Sequence, residues 1–241
     1  MTTRSPDLLA DLKAKLRCAR DQVKRYGIYH DATVAGVEAL RRTLEVSDDE
    51  ASLQRLLEVH PVLLLNQLAG GPAMVPLERG ALFKQVEILD RHVADFAFVT
   101  VDSIGEAWYF IEIESAKNAF KSNGDHSARL RKGIQQVVDW QQTILQDRTT
   151  VANRLRELRS AHTGRPSAEW NRNPCFVLII GRSTLETPAN KLTRASIENS
   201  MPNFTIASWD RLVSAQAKHN REVLNHSEFK SLGEEINHNC E

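Results

Sequence analysis

Three acids in this chain have types and spacing suited to chemistry: Asp95 in VADFAFV, and Glu112 and Glu114 in YFIEIES. Residues two apart on a strand project from one face, so Glu112 and Glu114 stand side by side if YFIEIE is extended. Asp95 belongs to the preceding strand-like run, which pairs beside that segment if the two form a hairpin. Three carboxylates brought together repel one another, and a hard divalent cation turns the repulsion into coordination by oxygen ligands. Such an ion polarises a phosphodiester and generates a hydroxide nucleophile. Spacing alone favours a plainer reading, in which Glu112 and Glu114 line the wet face of an antiparallel sheet. The flanks of Asp95 weigh the other way: apolar neighbours on both sides predict burial, and buried acids are rare unless paired or bound to metal.

The elements that must position these acids are legible around them. From Ala81 to Glu114 three β-type runs follow one another, ALFKQVEIL, VADFAFVTV and AWYFIEIE, broken by turn-like Asp90-Arg91 and Asp102-Ser103-Ile104-Gly105. They predict an antiparallel meander. Alternation in the third run puts Tyr109, Ile111 and Ile113 on one face and Phe110, Glu112 and Glu114 on the other. In the first run Lys84 and Glu87, at odd separation, are expected to face opposite sides, with Glu87 a weaker site candidate.

Upstream, Leu8, Leu9, Leu12, Leu16 and Val23 suit an amphipathic helix stopping near Gly27, and a second helix covers Ala32 to Leu44. SDDEASLQRLLEVHP reads as a capped helix: Ser47 as the cap, Asp48, Asp49 and Glu50 at the positive end, and Glu58 in the last turn. Gly70 to Gly80 reads as a loop. Downstream, the loop NAFKSNGDHS leads into a helix from about Ala128 to Leu145, striped by Leu130, Ile134, Val137, Val138 and Ile144. A further helix runs roughly from Thr150 to His162 and ends at Gly164. CFVLIIG, fully apolar, suits a buried central strand; residues 188–199 read as helix, NFTIASW as a last strand, and Asp210 opens a helix that decays into a polar tail. The expected fold is α/β: a mixed sheet of about four to five strands flanked on both sides by helices. The expected division is a helical region over 1–45, a core domain over 46–220 and a polar tail over 221–241.

Composition sets the bounds. A chain of 241 residues, 41% hydrophobic, can bury one substantial core. Thirty-one basic and thirty-one acidic residues cancel, so any nucleic-acid binding must be local rather than driven by a global field. Cys18, Cys175 and Cys240 are scattered, form no zinc-type spacing and read as reduced. The N-terminal segment lacks a secretory apolar region and no stretch approaches a membrane span, so no membrane partner and a cytoplasmic location are expected. His60, His92, His126 and His162 make no ligand spacing, and GxSxG, Walker and GxGxxG patterns are absent, which argues against serine hydrolases, P-loop ATPases and dinucleotide enzymes.

EIE, followed by a short polar loop with Phe120 and Gly124 and then a helix reading GIQQVVDW, closely resembles the Shedu family of prokaryotic defence nucleases. LLEVHPVLL resembles that family's helix before the sheet, VEILDRHVADFAFV its first two strands, CFVLIIGRSTL its later strand and FTIASWDRLV its closing strand and helix. The likeness spans roughly residues 50 to 215. It implies a PD-(D/E)XK, restriction-endonuclease-like core that cleaves DNA with Mg2+ or Mn2+ in antiviral (anti-phage) defence. It makes Asp95 the metal-binding Asp and Glu112 the first acid of the (D/E)XK strand. Glu114 departs from the pattern, standing where Lys is usual. A Glu there cannot donate, but it can bind metal or accept a proton from water.

Lys117 could supply the absent cation, or be a solvated loop lysine. Gln136 matches the family's helix glutamine, with Gln135 as the competing choice, and Trp140 one turn on reads as a packing residue before a base-stacking one. Glu58 could be the upstream acid that some superfamily members bring from the preceding helix, or an ordinary exposed helix residue. Arg129, Arg131, Lys132 and Arg182 are the nearest basic residues and candidates to grip phosphates, with surface solvation as the default. The resemblance also implies a homo-oligomer, a dimer or tetramer. Two rivals come from other classes: a catalytically degenerate module that binds nucleic acid or a partner protein, and a helical interaction protein dominated by residues 1–45.

Overall fold

The structure is a computed structural model and describes residues 34–61, 63–64, 81–101, 105–163, 169–170 and 172–213. The expected helix over 6–27, the Gly70–Gly80 loop, most of the Asp102–Gly105 turn, the loop at Gly164, the tail, Cys18 and Cys240 lie outside those residues.

The acidic runs form the expected meander. β1 (Ala81–Ile88), β2 (His92–Val101) and β3 (Glu106–Ile113) pair antiparallel, and the Asp90-Arg91 turn is one 3-10 turn over Leu89–Arg91. Beyond β3 the sheet changes sense. β3 pairs parallel with β4 (Cys175–Ile179), and β4 with β5 (Phe204–Ala207), giving the order β1-β2-β3-β4-β5. Parallel neighbours need crossover connections. Helices α3 (Ala128–Gln146) and α4 (Arg148–Thr163) lie between β3 and β4 in the chain, and α5 (Pro188–Ser200) lies between β4 and β5.

The two sheet faces carry separate cores. On one, Leu130, Val137, Trp140, Ile144, Val151 and Leu155 of α3 and α4 meet Trp108, Phe110, Phe176 and Leu178 of the sheet. On the other, Val37, Leu40 and Leu44 of α1 (34–46), Leu53 and Leu57 of α2 (Glu50–Val59) and Trp209 of a closing helix meet Phe96, Ile111, Ile113 and Val177. Burial of each such side chain contributes roughly 1.5–3 kcal/mol. Cover on both faces is why CFVLIIG shows no alternation. Cys175, at the start of β4, has a free thiol whose pKa burial pushes up.

Two local features depart from the sequence expectation and bear on the site. Asp49, not Ser47, caps α2: its Oδ1 accepts from Ser52 N at 2.9 Å, while the Ser47 hydroxyl donates to the Asp49 carboxylate. The helix therefore starts two residues later than a Ser47 cap would imply, with Glu50 as its first residue. In β1, Gln85 has φ 50, a left-handed backbone that resets the alternation. Ala81 and Phe83 before it, and Val86 and Ile88 after it, all enter the same core. Lys84 and Glu87, expected on opposite sides, consequently share the side turned away from that core.

Candidate acidic site

The register Lys84↔Phe96 and Val86↔Ala94 brackets Gln85 and Asp95, placing the left-handed residue across from the acid. Asp95 is half-buried, and its carboxylate ties two strands together: Oδ1 accepts from Gln85 Nε2 at 3.2 Å and Oδ2 from the backbone N–H of Ile113 at 2.9 Å. Backbone pairing between β2 and β3 ends at Phe96↔Ile111, so the side chain supplies the acceptor that Ile113 needs there. Asp95 is thereby fixed to the strand that bears Glu112 and Glu114.

Those two glutamates do not line a wet face. Glu112 is 4% exposed and Glu114 1%, on the side of β3 covered by α3. The helix comes close because of Gly133: a Cβ there would lie 2.7 Å from Leu178 Cδ1, so no larger residue fits without displacement. Gly costs a helix interior about 1 kcal/mol relative to Ala, and close approach is what offsets that cost here. On either side of Gly133 the helix delivers polar groups to the acids. Lys132 Nζ donates to Glu114 Oε1 at 3.0 Å, and the Gln136 side chain hydrogen-bonds Glu112. Gln136 Oε1 is buried and has no hydrogen-bond partner among the described residues. Gln135 faces outward and bonds Asp139 at 2.8 Å, so of the two glutamines Gln136 reaches the acids. Trp140 is a core residue, 1% exposed.

Burial and mutual repulsion dominate the electrostatics. The Glu112 carboxyl is pushed up to about 8, first by burial and then by the charge of Asp95, with Lys132 acting in the opposite direction. Burial raises Asp95 against the two hydrogen bonds it accepts, and raises Glu114 against its bond from Lys132. A fourth acid joins them. Glu50, at the start of α2, hydrogen-bonds Glu114 and adds a negative charge felt by Asp95 and Lys132. Read linearly, Glu50 is one of three acids at a helix N-terminus; only the cap at Asp49 and the docking of α2 direct it to the sheet.

The remaining expected site residues lie in other contacts. Glu58 accepts from Lys84 Nζ at 3.4 Å. Lys117 is exposed and pairs with Asp48 at 3.7 Å. Arg182 Nε bonds Asp210 Oδ1 at 3.1 Å, and its Nη1 donates to the Leu44 carbonyl at 3.5 Å, tying the closing helix to α1. Arg129 and Arg131 are exposed at the start of α3.

Oxygen-only donors are what Mg2+ and Mn2+ prefer, and crowded carboxylates with raised pKa values are what a cation would relieve. As placed, no three His, Cys, Asp or Glu side chains among the described residues stand together closely enough to hold an ion. The acids fit such an ion in kind but do not form a closed shell. The charge facing Glu114 comes from Lys132.

A mixed α/β sheet whose central strand ends in buried acids, under a helix presenting Lys and Gln, defines a protein built around an acidic centre. The family described as Shedu protein SduA, C-terminal, matches residues 47–213, more than half of the chain. The chain belongs to this Shedu family, a family of defence-system proteins. The match contains Glu50, Asp95, Glu112, Glu114, Lys132 and Gln136. No curated protein matches the sequence. Among the described residues no helix is long and apolar enough to cross a membrane.

Proposed function

We propose that this protein is a metal-dependent DNA endonuclease of the PD-(D/E)XK type that hydrolyses phosphodiester bonds in anti-phage defence. One observation carries the reading: Asp95, Glu112, Glu114 and Glu50 crowd around the end of β3, and among the described residues the cation bonded to them is Lys132 alone. A core that used these acids only for folding would pair or exclude them.

Asp95, Glu112 and Glu114 are the groups that would hold Mg2+ or Mn2+, with Glu50 behind Glu114. A bound ion supplies Lewis acidity at the phosphate and a water of lowered pKa. The chain's own residues do the positioning. Ile113 N and Gln85 hold Asp95, Gln136 orients Glu112 through its hydrogen bond, and the buried Gln136 Oε1, without a partner among the described residues, leaves an acceptor for a buried water. Arg129 and Arg131 offer local phosphate contacts to an otherwise neutral protein. A homo-oligomer would multiply those contacts, and the mass in solution tests for it.

The test is cleavage of supercoiled, linear and single-stranded DNA with Mg2+ or Mn2+. The parent is expected to cut and Asp95→Ala to lose activity by on the order of 10²–10³-fold or more. An Asp95→Ala protein that cuts as well as the parent removes the assignment.

A second reading has one observation in its favour, the lack of three acids close enough to hold an ion. In it the module is catalytically degenerate and binds nucleic acid or a partner protein, with Lys132 as the resident counter-charge. Metal titration separates the two. A working site gains RT ln(1 + [L]/Kd) of stability, about 2.7 kcal/mol when Mn2+ is at 100 times its Kd, whereas a degenerate one gains nothing.

A further inference from the structure

We propose that Lys132 is the working cation of this site, replacing from the helix the strand lysine whose position Glu114 occupies. The proposal rests on the nuclease reading. Its geometric basis is the contact across the β3–α3 gap: Lys132 Nζ stands 3.0 Å from Glu114 Oε1, although the two residues are eighteen apart in the chain. Gly133 lets α3 descend onto β4, and Lys132 and Gln136, one helical turn apart, meet Glu114 and Glu112 respectively.

The two partners differ in exposure, and the difference assigns their roles. The Glu114 side chain is 1% exposed and that of Lys132 58%, so the carboxylate is a fixed anchor and the ammonium stands at the mouth of the site. From there Nζ can donate to a non-bridging oxygen of the scissile phosphate while Glu114 holds it in place. Lys132 acts as a hydrogen-bond donor to the charge that builds on the phosphate and gives up no proton. Of the other candidate cations, Lys117 is engaged with Asp48 and Arg182 with Asp210, while Arg129 and Arg131 stand exposed at the start of α3. Lys132 also offsets part of the cost of burying Glu114, so its folding role and its role at the phosphate are separated by experiment.

The experiment compares the parent, Lys132→Gln and the charge-conserving Lys132→Arg. It reads cleavage in Mg2+ and, independently of turnover, duplex binding in Ca2+ across a salt series. Lys132→Gln is expected to cut on the order of 10²–10³-fold more slowly. Its plot of log affinity against log salt should be shallower by about 0.9, the signature of one lost phosphate contact. Lys132→Arg, which keeps the donor and its charge, should cut at least about tenfold faster than Lys132→Gln and restore the parental salt slope. Should Lys132→Gln fail to fold, Glu114→Gln/Lys132→Gln leaves no unpaired charge and must show the same shallower slope. An unchanged slope, or parental cleavage by Lys132→Gln, overturns the role of Lys132 and leaves the nuclease reading standing. A parent that neither cuts nor binds duplex DNA defeats both.

Discussion

β3 buries glutamates at both ends, and it treats them in opposite ways. At its start Glu106, 2% exposed, is matched by a buried Arg159 and by the indole N–H of Trp108, which donates to its Oε2 at 2.9 Å. Glu186 and Arg194 repeat that arrangement between β4 and α5. At the other end Glu112 and Glu114 share their space with Asp95 and Glu50, and the cation that reaches them is the half-exposed Lys132. Burying a charge costs about the same at either end of a strand. At the start the fold offsets it with a partner; at the finish it leaves repulsion in place, which a ligand could relieve. That contrast, an acid paired within the fold against acids left to repel one another, is what the proposed metal-binding role rests on.

The contrast breaks most readily at Arg159. Arg159→Ala leaves Glu106 buried without its guanidinium, an expected loss of about 3–5 kcal/mol, or roughly 6–20 °C in melting temperature. A melting temperature close to the parent's would show that pairing does not hold Glu106 in place.

The acidic end should respond to pH with a definite sign. The Glu112 carboxyl sits near 8 in the folded chain against 4.5 unfolded, so the folded state holds the proton more tightly. Stability contributed by that bound proton is complete below about 4.5 and is lost as pH rises toward 8, at up to about 1.4 kcal/mol per unit. Denaturant titration of the metal-free protein at pH 5 to 8 reads this slope, and Glu112→Gln should flatten it. Mn2+ affinity should climb through the same window, because binding displaces the proton. A parent with constant stability and metal affinity across that range would remove the repulsion on which the comparison rests.

Gly133→Ala sharpens the geometry at a smaller expected cost. The added methyl meets Leu178, and overpacking of this kind costs about 1–3 kcal/mol. Leu178 is fully buried, so α3 is expected to lift from β4; Lys132 and Gln136 should then lose their reach, and cleavage should fall by more than the stability change accounts for. Equal activity in a folded Gly133→Ala protein would show that close helix approach is not what assembles the site.

The chain by itself determined the meander over residues 81–114, the helix from Ala128, the apolar strand at Cys175 and the pairing of Asp95 with Glu112 and Glu114. Each is a local pattern: strand alternation, helical spacing, or a short run bounded by turns. Distances between elements are not written in that way. Glu58, open to a site role or to an ordinary exposed one, bonds Lys84, and the acid that α2 brings to Glu114 is Glu50, because the cap lies at Asp49. Lys132 read as one of several surface cations until Gly133 allowed α3 to approach β4. Parity puts Lys84 and Glu87 on opposite sides, and the single left-handed residue Gln85 reverses it. Periodicity reports which face a residue occupies as long as the backbone stays regular. Which face meets which, and how closely, is decided by core packing and by the few glycines, caps and left-handed residues that set the approach of one element to another.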